Sequence, residues 1–377
     1  MHSPSRLLRE RNTGTIGPRQ LEQRLATLQD VTTAIKNKEI LCPNLLAILS
    51  PLAAASTDNY NELESRINSR IDDIINDDVI LHKVKNVNLP LFISDWYPNC
   101  SFEAQEAMAL YYLWLFVWDD VFDGEDIREA LPLNMEAMFE KTINFVKYHL
   151  GLTELAAGEL EPEAPTKATS IFKHAGVMLA QQTDREQRER FFEEIKFYIL
   201  SCAYEHKTIE RGVLPSVEEY WTYRLGTSSV YASCAIADHM AGVKLPGKYF
   251  ENDDMALLWR EANRNIVIVN DLLSLKKEIN RSLHSLIPIS MQDTGYNLQD
   301  AIDDLVNQLR DSVKKFQSLS ARLLSSVAHD PQAKQELEKY IRLIQFNVTG
   351  NLSWSIGCDR YRVTDDLQAD GSLKVYT

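Results

Sequence analysis

Leu298, Ile302, Leu305, Val306, Leu309, Val313 and Phe316 return every three or four residues along segment 296–327. That interval puts all seven on one side of an α-helix; in a strand, whose faces alternate at every residue, they would scatter. The same period marks candidate helices at roughly 20–37, 58–79, 103–120, 129–150, 166–181, 184–207, 216–242, 252–280 and 331–356, about ten in all. Breaks fall at Leu89-Pro90, Gly124, Gly158–Pro165, Leu214-Pro215 and Leu245-Pro246-Gly247, where proline or glycine disfavours continuation. No two strand patterns flank an Asn-Gly or Asp-Gly hairpin turn, and there is no internal repeat or low-complexity tract. The run Ile266-Val267-Ile268-Val269 is β-branched and in isolation would suit a buried strand. Its flanks keep helical spacing with no turn between, so it reads as helix. The expectation is an all-α chain.

Charge narrows the function. The 377 residues carry 40 Lys and Arg against 54 Asp and Glu, a formal net charge of −14. A nucleic-acid binder needs a basic footprint, so no nucleic-acid partner is expected. Five widely spaced cysteines without a CxxC pair argue against a zinc knuckle or a disulfide framework. No apolar core follows the arginines of the first twenty residues, and a cytoplasmic location is expected. The longest uncharged apolar run, Ala107–Trp118, has twelve residues, whereas a membrane span needs about 20. It reads as a buried helix, and no membrane span is expected.

That run ends abruptly in Asp119-Asp120-Val121-Phe122-Asp123 before Gly124. In a helix, Asp119 and Asp123 share a face. The last turn of a helix carries the negative end of its dipole, so carboxylates there are disfavoured by about 0.3–1 kcal/mol each. Three aspartates behind a deeply apolar helix therefore call for a cation. Carboxylate oxygens suit Mg²⁺, which keeps several waters and shares phosphate oxygens with a substrate. A solvated acidic loop, continued by Glu125 and Asp126, is the plain alternative.

Far downstream, Asn270, Ser274 and Glu278 stand four positions apart, forming a slanted helical stripe about 12 Å long. An amide oxygen, a hydroxyl and a carboxylate make a hard ligand set, again suited to Mg²⁺. Leu272, Leu273 and Leu275 face away and would bury the helix. Lys277, beside Glu278, is well placed for a phosphate oxygen of a metal-bound ligand. The alternative is an amphipathic helix with a chance polar stripe.

The pair DDxxD, then NDxxSxxxE well downstream in an all-α chain, resembles class I terpene synthases, and most of all the fungal and bacterial single-domain sesquiterpene cyclases. Arg224, 46 positions before Asn270, and the run Asn351–Tyr361 ending in Arg360-Tyr361 agree with that resemblance, which covers roughly residues 40–365. It implies a single-domain helical bundle around a central apolar cavity over residues 41–365, with an N-terminal flexible or capping segment 1–40 and a C-terminal tail 366–377. It implies that Asp119, supported by Asp120 and Asp123, holds one or two Mg²⁺ ions. Asn270, Ser274 and Glu278 would hold a third. Arg224, Lys277, Arg360 and Tyr361 would grip the diphosphate. Asp119, Arg224, Asn270 and Glu278 would thus carry the catalysis.

The implied reaction is ionisation and cyclisation of a linear isoprenyl diphosphate. Farnesyl diphosphate is favoured; geranyl and geranylgeranyl diphosphate remain open. No protein nucleophile is needed for the first step, and the eight histidines show no HExxH pattern. A cation needs a dry, weakly basic cavity lined by aromatic faces. Tyr112 and Phe116 lie on the face of Asp119, two turns and one turn deeper, and Trp354 lies six positions before Arg360. These three are expected to line the cavity. The loops after Gly124 and after Arg224, and the tail beyond Tyr361, are candidates to close over the ligand. Thr227 occupies a position where this family often has an acid. A chain-elongating isoprenyl transferase is the nearest rival, but that class carries a second aspartate-rich motif where this chain has Asn270, Ser274 and Glu278. A non-catalytic helical scaffold is the more distant one. The oligomer is expected to be a monomer or homodimer.

Overall fold

Short polar side chains set many helix starts. Asp77 accepts from Val79 N and Ile80 N, and Asn44, Thr166, Asp184, Ser216, Asn252, Asn297 and Asp330 cap their own helices in the same way. Each satisfies backbone N–H groups that have no partner inside the helix. The computed structural model describes residues 28–123, 135–156, 158–279 and 283–377, with residues 28 and 121–123 by backbone alone. In chain order it contains α1 (Leu28–Ile35), β1 (Glu39–Cys42), α2 (Leu45–Leu49), α3 (Tyr60–Ile74), α4 (Asp78–Val87), α5 (Leu89–Trp96) and α6 (Phe102–Asp123). These are followed by α7 (Met135–His149), α8 (Lys167–Ser170), α9 (Phe172–Gln182), α10 (Arg185–Ile209), α11 (Val217–Thr227) and α12 (Val230–Met240). The last elements are α13 (Asp253–Glu278), α14 (Leu286–Thr294), α15 (Leu298–Ser326), α16 (Pro331–Gly357) and β2 (Leu373–Tyr376).

The all-α expectation holds, and several boundaries differ from it. Segment 58–79 is two helices, because the chain is extended at Ile75 and Asp77 restarts it as a cap. Segment 216–242 is also two, because Ser229 takes a left-handed conformation (φ 57°). Pro90, expected to mark a break, sits in the first turn of α5, where its missing N–H costs nothing. Asn88 (φ 51°) ends α4, and its Oδ1 accepts from Leu91 N at the start of α5. The antiparallel pair β1–β2, Glu39 opposite Tyr376 and Cys42 opposite Leu373, was not expected. Its strands come from opposite ends of the chain, so no turn announces it. The β-branched run Ile266–Val269 is helical as expected, none of its residues more than 6% exposed, so packing overrides its strand propensity.

Helix α13 runs through the middle, packed against α11, α12, α14, α15 and α16. Trp259 Nε1 on α13 donates to Tyr340 Oη on α16 (2.7 Å), which donates to Cys234 O on α12 (3.0 Å). On the other side α6 packs against α5 and α9. Gly350 of α16 lies so close to the Asp95 carbonyl of α5 that a Cβ there would clash. Among the described residues no helix is long and apolar enough to cross a membrane. Residues 1–27, and the loop after Gly124 up to residue 134, lie outside the described residues.

Candidate active site

Four helices bring their C-terminal ends to one place. Asp119 and Asp120 sit in the last two turns of α6, Arg224 in the last turn of α11, and Asn270, Ser274 and Glu278 along the final turns of α13. Arg360 and Tyr361 follow immediately after α16. Converging negative helix ends, together with the carboxylates they carry, make a place that demands positive charge.

Contacts knit these residues together. Arg224 Nη2 donates to Asn270 Oδ1 at 2.9 Å, and Asn270 Nδ2 donates to Tyr361 Oη at 2.8 Å. Arg360 faces Asp119 and Asp120, and its guanidinium stands 5.5 Å over the Phe116 ring. Burial pulls the Arg360 pKa down, but Tyr361, Asp120 and Asp119 outweigh it and leave it above its ordinary value. The Arg360-Tyr361 pair therefore stands between the two stripes: Arg360 within the field of the aspartates of α6, Tyr361 hydrogen-bonded to Asn270 of α13. Asp119, Asp120, Arg224, Asn270, Lys277, Glu278 and Arg360 are all half-buried, open to solvent at this mouth. The helix ends at Asp123, whose side chain lies outside the described residues.

Beneath the mouth lies an aromatic cluster containing the three expected lining residues. Phe116 and Trp354 have centroids 6.0 Å apart, Tyr112 and Phe116 6.3 Å, and Trp354 and Tyr361 5.7 Å. The Trp354 indole donates to Val87 O at 2.7 Å, fixing the ring. The Tyr112 hydroxyl is tied to Ser233 and to Tyr97 (3.4 Å), leaving its face to the cluster. Phe92 of α5 packs against Tyr112, Trp354 and Phe116. Phe92 was not a sequence candidate, since its segment read as a break at Pro90.

Asp271 is the other residue the sequence reading passed over. Buried at the flank of the stripe, about 60° round the helix from Ser274, it lies 3.6 Å from Arg224 and accepts from Tyr220 Oη (2.6 Å) and Leu286 N (2.8 Å). Burial pulls Arg224 down, but Tyr220, Asp271, Glu205 and Glu278 more than reverse this and hold it well above its ordinary value. The Arg224 guanidinium is thereby fixed between Asp271 and Asn270. Thr227, where an acid was noted as usual, is buried with an unpartnered hydroxyl. The break after it is pinned instead by Asn263 of α13, which accepts from Ser228 Oγ (2.9 Å) and donates to Leu225 O (2.8 Å). Gly226 is required there, since a Cβ would collide with Ser201 of α10.

The second stripe fits a hard cation. Ser274 Oγ is buried beside the Glu278 carboxyl without a hydrogen bond of normal geometry, which leaves its lone pairs open to an ion. Burial and the nearby Asp271 push the Glu278 carboxyl up to about 7, against Ser274, Arg224 and Lys277. Asn270 Oδ1 already accepts from Arg224, but an amide oxygen has a second lone pair to give.

A family model for terpene synthase family 2, C-terminal metal binding, matches residues 111–315, more than half of the chain. The chain belongs to that family and is a class I terpene cyclase. It is similar to sesquiterpene cyclase hepA of Aspergillus oryzae, 26% identical over 340 residues, covering 88% of this chain and 92% of that one. It is also similar to a (+)-T-muurolol synthase ((2E,6E)-farnesyl diphosphate cyclizing) of Roseiflexus castenholzii, 27% identical over 293 residues, covering 77% and 85%. The fold matches the crystal structure of germacradien-4-ol synthase from Streptomyces citricolor with a TM-score of 0.66 at 17% identity, over 81% of this chain and 96% of that one.

Proposed function

We propose that the protein ionises and cyclises farnesyl diphosphate in a Mg²⁺-dependent reaction, releasing diphosphate and a sesquiterpene hydrocarbon or alcohol. The observation that carries this reading is the placement of Arg360 and Tyr361 between the aspartates of α6, whose charge Arg360 feels, and the Asn270 stripe of α13, to which Tyr361 is hydrogen-bonded. That placement supports a site in which both stripes face one mouth above one aromatic cluster. The names of the relatives, one of them farnesyl diphosphate cyclizing, support the chain length.

In this reading Asp119 and Asp123, with Asp120 in support, hold Mg²⁺ on one wall, and Asn270, Ser274 and Glu278 hold it on the other, three ions in all. Bound Mg²⁺ supplies Lewis-acid neutralisation of the diphosphate oxygens. Arg224, Lys277, Arg360 and the Tyr361 hydroxyl grip the same oxygens. As the allylic C–O bond breaks, the bridging oxygen gains negative charge, and these fixed donors stabilise it more than they stabilise the substrate. The allylic cation left behind meets the faces of Tyr112, Phe116 and Trp354, which attract positive charge without bonding to it. The Tyr112 hydroxyl, held by Ser233 and Tyr97, is kept from capturing the cation.

Incubation of the protein with geranyl, farnesyl or geranylgeranyl diphosphate and Mg²⁺, followed by gas chromatography–mass spectrometry, tests the reading. Cyclic C15 product from farnesyl diphosphate alone is expected. Turnover only when isopentenyl diphosphate is added would make the protein a transferase. Phe116→Ala is expected to change the product ratios and to lower kcat by about tenfold, through loss of about 1–2 kcal/mol of cation–π stabilisation. An unchanged spectrum and rate would remove Phe116 from the lining.

The Glu278 carboxyl sets the pH dependence of metal binding. Its pKa is raised from 4.5 to about 7 in the metal-free protein, so below pH 7 the ion must displace a proton. Mg²⁺–pyrophosphate affinity is expected to fall as pH drops from 8 to 6, with proton release at pH 6.5 seen by calorimetry in buffers of different ionisation enthalpy. A raised carboxyl contributes to folding stability below its unfolded value, and that contribution is lost as pH rises through about 7. Glu278→Gln is therefore expected to release fewer protons than the parent, those of pyrophosphate itself being common to both, and to keep its metal-free Tm between pH 6 and 8, where the parent loses a few degrees.

A further inference from the structure

The chain after α16 crosses the end of α13 and touches it twice. Tyr361 Oη accepts from Asn270, and further along Asp366 accepts from Lys276 Nζ at 3.0 and 3.3 Å. Six residues separate Asn270 from Lys276, which places them about 120° apart around the helix. Lys276 projects from nearly the opposite side to Ser274, so the segment grips the helix on two flanks.

Beyond this point the segment is anchored to a distant part of the fold. Arg362 takes a left-handed turn (φ 52°). Asn44 Nδ2 donates to Asp370 O (2.8 Å), β2 pairs with β1, and Thr377 Oγ1 donates to Ile35 O (2.5 Å). Gln299 of α15 clamps the other edge of β1, accepting from Leu41 N and donating to Leu41 O. Between Gly357 and Leu373 the chain makes no α-helix or strand, only a short 3-10 turn at Thr364–Asp366. Asp366 is 8% exposed, and its carboxylate lies beside the half-exposed Lys276 ammonium.

We propose that Lys276 and Asp366 are positioning residues that hold Arg360 and Tyr361 over the site. The inference rests on the reading that Arg360 and Tyr361 bind diphosphate. The physical reason is that both side chains hang from irregular backbone, and a shift of about 1 Å in that backbone would cost a bidentate grip its geometry. The link sits five residues beyond Tyr361 and fixes where the segment leaves α13. Because Lys276 is 42% exposed, the pair adds little to global stability. Its effect is on the alignment of the two ligands.

The test is calorimetric titration of the full chain with pyrophosphate and Mg²⁺, which needs no turnover. Lys276→Met is expected to weaken binding about tenfold while Tm stays within a few degrees. Lys276→Arg, which keeps the ion pair, is expected to bind like the parent, and the exchanged pair Lys276→Asp with Asp366→Lys is expected to recover most of the loss. With farnesyl diphosphate, the methionine variant should raise KM more than it lowers kcat. Equal pyrophosphate affinity in parent and Lys276→Met would overturn the inference while leaving the site reading intact. Failure of the parent itself to bind Mg²⁺–pyrophosphate would overturn both.

Discussion

Asn270→Ala is expected to lower kcat/KM for farnesyl diphosphate by about 10³-fold or more, since one side chain serves three partners. Its Oδ1 accepts from Arg224, its Nδ2 donates to Tyr361, and in the proposed mechanism it also ligates Mg²⁺. Alanine removes the ligand and releases both diphosphate donors from their mutual anchor. Asn270→Asp separates these roles. It retains an oxygen for metal and for Arg224 but cannot donate to Tyr361, so a smaller loss is expected. Pyrophosphate release at saturating Mg²⁺, with circular dichroism to confirm folding, reads the outcome. Undiminished release from the alanine variant would remove α13 from the catalytic centre.

The second large effect is expected at Asp119→Ala, about 10²–10³-fold in kcat, with a rightward shift of the Mg²⁺ dependence. Asp119 stands near Arg360, whose guanidinium is kept above its ordinary pKa by Tyr361, Asp120 and Asp119 against burial. In the proposed mechanism its loss would therefore disturb both the metal wall and the orientation of Arg360 toward diphosphate. Asp119→Asn, which keeps the shape and one acceptor, is expected to recover part of the affinity for pyrophosphate but little of the rate. If Mg²⁺-dependent activity persisted unchanged in Asp119→Ala, the assignment of the α6 aspartates would fail.

The helical character of α13 and α15 was legible because their apolar spacing is long and regular. It carried even the β-branched stretch Ile266–Val269, whose local propensity points elsewhere. The polar stripes were equally legible, since a fixed four-residue interval converts directly into a shared face. Boundaries were less so. Pro90 reads as a stop, yet in a first helical turn its missing N–H is harmless, and whether a turn is first depends on Asn88 adopting φ 51°. The Ser229 break was hidden for a related reason. Nothing local demands a left-handed serine; Tyr111 reaches its hydroxyl at 2.6 Å and Asn263 pins the neighbouring turn.

Asp271 shows why the partners of candidate ligands were hard to find. Its neighbours in sequence mark it only as part of a motif. Its function in holding Arg224 depends on Tyr220, Arg224 and Leu286, which come from α11 and the start of α14. The same holds for Lys276 and Asp366, 90 positions apart.

By itself the sequence determined which residues could share a helical face, and therefore which acids, amides and aromatics were available as sets. That follows from the fixed rise and turn of the helix, a local property. Only the tertiary structure decided that the ends of α6, α11, α13 and α16 meet, that Arg360 and Tyr361 span the gap between the two stripes, and that the C-terminal strand is fastened beside the first one. Those outcomes depend on how whole helices pack, and packing is set by contacts between residues tens to hundreds of positions apart, which no local interval records.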